Sequence, residues 1–178
     1  MNIDSSDMRA EIINTWRAVP GLASKALQAG LSDEINSSDT MVAYRRREIL
    51  SEILAIKPLS SLDWLSLSGV QLATDEPTEQ VLGSLKLSAL TGPNEGYVMA
   101  ERAIFALSLW EDLSPDLKSR VAIDLAPMVS PRTPAEGAES GKFRAVLSTK
   151  PEGVRNELRK ALLARAISAK EIEQLFGF

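Results

Sequence analysis

Pro58 and Pro93 stand 35 residues apart. Each follows an apolar stretch whose hydrophobic residues recur every three or four positions. A proline removes a backbone donor and crowds the preceding turn, so a helix stops at each, and the interval holds two helices and a turn. Trp64, Leu67 and Ser68 fall on the first of these helices, and Val81, Leu85, Ser88 and Ala89 on the second. The same spacing runs through the rest of the chain, and the alternating β-branched clusters that mark strands are missing. The expected fold is all-α, with about eight or nine helices.

Capping chemistry and prolines divide the chain. Ser5, Ser6 and Asp7 cap a helix carrying Met8, Ile12, Ile13 and Trp16 inward, which Pro20-Gly21 stops; a short helix over Leu22 to Leu31 follows. Polar residues 32–40 cap a long helix in which Ile49, Ile53 and Ile56 share one face, closed by Pro58. Helices are then expected over Ser61 to Thr74, Pro77 to Thr91, and Asn94 (as cap) to about Leu113. Pro115 opens another, through Val121 and Leu125 to near Met128. Residues 130–141 carry Pro131, Pro134, Gly137 and Gly141 and read as a loop. A C-terminal hairpin over 151–178 completes one domain spanning 1–178, with helices over Pro151 to Ala166 and Ser168 to Phe176.

Residues Tyr44 to Pro58, read YRRREILSEILAIKP, resemble the second helix of a tetratricopeptide repeat, and Trp64, Leu67 and Ser68 follow at that repeat's aromatic, leucine and small-residue offsets. The family period is 34 residues. The 35 residues from Pro58 to Pro93 therefore need one extra residue in the turn around Asp75, Glu76 and Pro77. Gln71 stands where the family has an aromatic, and Gly69 falls inside a helix. The resemblance covers about 42–113. It implies stacked antiparallel helical hairpins, in a right-handed superhelical layer whose groove holds a protein or peptide partner.

Composition narrows the chemistry. The chain has 178 residues, 44% of them hydrophobic, enough for a sizeable core without staples. Its formal net charge of −4, with both signs interspersed, offers no broad basic face for nucleic acid. It contains no His and no Cys, which removes the commonest general base, the thiol nucleophile and the nitrogen and sulfur ligands of zinc. No Ser-x-x-Lys or Gly-x-Ser-x-Gly spacing occurs. The expectation is a protein that is not an enzyme and takes no cofactor or metal. The N-terminal stretch lacks a basic region and an unbroken apolar run, so no membrane insertion is expected. A cytoplasmic location is expected, with the soluble part of an exported or anchored protein as the alternative.

Several motifs fall short of a site. Residues Glu136 to Phe143 resemble a phosphate loop, but the first glycine is one residue too close and Phe143 replaces the magnesium-binding hydroxyl. Asp75-Glu76, Glu111-Asp112 and Glu171-x-Glu173 are carboxylate pairs on helix edges, without calcium-loop spacing. Ile167 to Gly177 resembles the first helix of a helix-turn-helix with no recognition helix after it. Trp16, Trp64 and Trp110 lie in apolar stripes and read as core. Tyr97 opens a helix after the turn at Thr91 to Gly96 and is expected to be half-buried.

The reading is a non-catalytic scaffold. Its partner would lie along the first helices of successive hairpins, near Leu62, Leu65, Tyr97, Glu101 and Arg102, with Arg45 and Arg46 as an anchor for acidic groups. A helical small-molecule binder or enzyme using buried carboxylates and arginines is the alternative, and self-association through apolar helix faces is a third.

Overall fold

The computed structural model describes residues 40–129 and 138–177. The expected helices over 5–19 and 22–31, the capping stretch before Thr40, most of the 130–141 loop and Phe178 lie outside the described residues. Among the described residues there are eight α-helices, two short 3-10 turns and no strand. The helices are α1 (Thr40–Ile56), α2 (Ser61–Ala73), α3 (Thr78–Thr91), α4 (Gly96–Ser108), α5 (Pro115–Leu125), α6 (Ala138–Ser148), α7 (Glu152–Leu163) and α8 (Ala169–Phe176). The 3-10 turns are Trp110–Asp112 and Ala126–Val129.

Local chemistry accounts for most boundaries. Pro115 occupies the first turn of α5, where its missing N–H is no loss, and the Ser114 hydroxyl accepts from the Leu117 amide at 3.4 Å. Ser168 and Glu171 form a reciprocal capping box at the start of α8, which ends on Gly177 in the left-handed region at φ 85°. Asp75 is left-handed at φ 54°, a conformation aspartate tolerates, and turns the chain between α2 and α3.

Three boundaries differ from the sequence reading. Asn94 does not cap α4; Glu95 takes the N-cap position without a side-chain cap bond and accepts instead from the Ser61 hydroxyl. The helix ends at Ser108, not Leu113, because the chain tightens into the 3-10 turn that sinks Trp110. The loop ends sooner than expected, at α6, which contains Gly141. Phe143 and Leu147, one turn apart, are both buried and secure that helix to the core.

The α2 helix packs between α1 and α3, and both α2 and α3 touch α4. The α4 helix packs on α5 and α6, α5 on α7, and α8 closes the end against α6, α7 and the 126–129 turn. One large core runs from Leu65 and Leu85 through Ala103, Leu107 and Leu125 to Leu158, Leu162 and Leu175. Phe143 and Phe176 meet in it with ring centroids 6.0 Å apart. A smaller cluster of Leu50, Leu54, Leu67 and Val70, flanked by Trp64, joins α1 to α2. At the α2–α3 crossing the fully buried Ser68 donates to the Val81 carbonyl at 2.8 Å, a small residue that leaves no hydroxyl unpaired.

Candidate functional site

The starts of α2 and α4 and the end of α3 meet at one end of the helical layer. Gly92, just after α3, lies so close to Ser61 that a Cβ there would overlap the serine side chain. Ser61 in turn bonds Glu95, two residues before Tyr97. Four large apolar residues within two positions of Ser61, Gly92 or Glu95 are exposed. Leu59 is 76% exposed, Leu62 45%, Leu90 66% and Tyr97 61%.

Beneath it lies a buried polar knot. Arg102 of α4 donates from Nε to Asp124 Oδ2 at 2.6 Å and from Nη2 to Oδ1 at 2.8 Å, a bidentate pair reaching α5. Its Nη1 donates to the Ser88 and Gly92 carbonyls at 3.0 and 3.3 Å, closing the C-terminal end of α3. Arg120 adds a 2.8 Å bond from Nε to Asp124 and another to the Pro93 carbonyl. Arg102 and Asp124 are each 1% exposed.

The expected contact residues therefore separate. Leu62 and Tyr97 share the exposed junction, and Tyr97 is more exposed than expected. Leu65 is buried in the core, and Arg102 is sealed in its ion pair, so neither presents a surface to a partner. Glu101 is on the neighbouring face, where Lys142 of α6 donates to it at 2.6 Å. Arg45 and Arg46 lie on α1, away from this junction; neighbouring Arg47 pairs with Glu76. Sequence spacing did contain a signal for the knot: Arg102 is one turn from Val98 and Ala106, and Asp124 is beside Leu125 and one turn from Val121, all buried.

The carboxylate pairs serve the fold where they have partners. Glu76 meets Arg47, and Glu171 is held below the usual carboxylate range by the Ser168 hydroxyl and amide. Among the described residues no group of three or more His, Cys, Asp or Glu side chains could hold a metal ion. No described helix is long and apolar enough to cross a membrane. Trp64 is half-buried and donates to the Pro58 carbonyl at 2.8 Å, while Trp110 is fully buried.

Trp110 also floors a cleft of about 500 Å³ between α5 and α7, rimmed by Lys118, Glu157 and Arg165. Trp110 Nε1 donates to Glu157 Oε2 at 2.9 Å, and this bond, reinforced by Lys118, holds the Glu157 carboxyl below its ordinary range. A depressed folded pKa contributes stability that is present above the unfolded value and is lost as pH falls through the folded one. Glu157→Gln should therefore destabilise near neutrality, by well under about 1 kcal/mol at this exposed position, and the gap should close below about pH 4. Urea unfolding at both pH values checks this; a gap that persists in acid would assign the effect to something other than ionisation.

No family model matches the chain, and no curated protein or solved structure is similar to it.

Proposed function

We propose that the chain is a non-catalytic protein-interaction module, built from stacked helical hairpins resembling tetratricopeptide repeats, that holds a segment of a protein partner. The observation that carries this reading is the apolar junction of Leu59, Leu62, Leu90 and Tyr97. Exposed aliphatic and aromatic side chains that flank one meeting point of three helices fit a contact surface. The helix order supports the hairpin reading. In it α2 and α4 are the first helices of successive hairpins, and they touch each other, as do α4 and α6. Leu62, Tyr97 and Glu101 all lie on first helices; Leu65 and Arg102 are omitted from the contact set because they are buried.

The test is a photo-crosslinking residue in place of Tyr97, used in the source cell, followed by affinity measurement on whatever protein is captured. Leu62→Glu with Leu90→Glu should weaken that protein's binding by about tenfold or more, the effect of losing one hot spot, with thermal unfolding unchanged. Unchanged affinity in a folded double variant would refute the placement.

The small-molecule alternative is favoured by one observation, the cleft over Trp110, whose volume is within the ligand-pocket range. Its mouth is open, however, and the most deeply buried carboxylate and arginine, Asp124 and Arg102, are engaged with each other elsewhere. The interaction reading uses more of what is on the surface.

A further inference from the structure

We propose that the cleft where α1 meets α2 and the first turn of α3 binds an organic cation, an ammonium or guanidinium group, at a place separate from the partner surface above. The cleft encloses about 550 Å³ and is walled by Arg47, Glu48 and Glu52 of α1, Gln71 of α2 and Gln80 of α3. Every lining side chain but Leu67 is polar or charged. Glu48 and Glu52 are four residues apart, so they share one face of α1 and repel each other. Neither forms an ion pair among the described residues. Arg47, the one cation in the lining, is paired with Glu76. The cleft therefore keeps an uncompensated negative charge, and the half-buried position of Glu52 strengthens its field by partly excluding water.

A second observation points to a ligand that carries donors. Gln71 is 9% exposed, and its Oε1 is buried with no hydrogen-bond partner among the described residues. Buried polar atoms are nearly always bonded, so an open acceptor beside a cleft calls for a donor that enters it. The last torsion of a glutamine side chain is soft, and the oxygen turns on it to meet that donor. Two carboxylates beside an amide acceptor match a group that brings several N–H donors and a positive charge together, as ammonium and guanidinium do and a hydroxyl or neutral amide does not. A metal ion is the poorer match. Among the described residues no group of three or more His, Cys, Asp or Glu side chains could hold one.

Titration of the isotope-labelled full chain with N-acetylarginine methylamide and with spermidine tests this, read from the side-chain amide signals of Gln71 and Gln80. Both signals should shift saturably with at least one of the two cations. The citrulline counterpart of the arginine probe, similar in shape but uncharged, should bind at least about tenfold more weakly. The tighter of the two cations identifies the source: a side chain of a partner protein for the arginine probe, a free polyamine for spermidine. Glu48→Gln with Glu52→Gln should weaken binding by about tenfold or more without lowering the unfolding temperature. Gln71→Leu, read from Gln80, removes the open acceptor at similar volume and should also weaken binding; if it does not fold, the carboxylate variant decides alone. The proposal is overturned if neither cation shifts these signals at up to about 10 mM, if the citrulline probe binds as tightly as the arginine probe, or if the folded double variant binds unchanged.

Discussion

Arg102→Ala is expected to lower the stability of the fold by about 3–5 kcal/mol, the range found when one partner of a buried ion pair is removed. The pair is 2.6 to 2.8 Å across two parallel bonds, and both residues are 1% exposed, so the stranded Asp124 carboxylate has no water to turn to. Arg120 alone would remain beside it. The loss extends beyond the charge, because the same guanidinium closes the Ser88 and Gly92 carbonyls at the end of α3. Chemical denaturation of Arg102→Ala beside Lys142→Ala makes the comparison direct: the Lys142–Glu101 pair is exposed, and its removal should cost no more than about 1 kcal/mol. Equal losses in the two variants would mean that burial does not set the strength of the Arg102 pair. Replacing Arg102 and Asp124 together by apolar residues of similar volume should recover much of the stability, since the penalty is mainly that of an unpaired buried charge.

That expectation also marks where sequence reading stopped short. Helices α2, α3, α5, α7 and α8 were legible because Pro58, Pro77, Pro93, Pro115, Pro151 and the Ser168 cap fix their ends by local chemistry. The all-helical fold followed from the three- and four-residue spacing. Helix α6 was missed because Gly141 and two prolines upstream outweighed the Phe143, Val146 and Leu147 pattern that follows them. At the candidate site, Leu62 and Tyr97 are exposed neighbours of one junction, whereas Arg102 was read as a surface charge. An arginine is normally solvated, and only the tertiary meeting of α3, α4 and α5 supplies the carboxylate and carbonyls that let it be buried. The fate of the Ile49-Ile53-Ile56 face has the same origin. Periodicity identified it, but the sequence does not say that α2 would take the adjacent Leu50-Leu54 face.

Trp110→Ala should be comparably damaging, at about 3–5 kcal/mol, for a different physical reason. The indole is 1% exposed and belongs to the large core, at the 3-10 turn joining α4 to α5, and no described side chain is larger among the fully buried ones. Truncation leaves a void where α5 meets α7, and Ala122 and Ala161, which line the cleft with it, are too small to fill it. Trp110→Phe separates packing from polarity. It keeps most of the ring but deletes the Nε1 donor to Glu157, so it should cost nearer 1 kcal/mol, with an addition for the smaller ring, and should let the Glu157 carboxyl return towards its ordinary range. Urea unfolding of both variants at neutral and acid pH distinguishes the contributions. A Phe variant as unstable as the Ala variant would make the Glu157 bond the main tie between α5 and α7. The expected gap between them makes the buried ring the tie and the bond a minor, pH-sensitive addition to it.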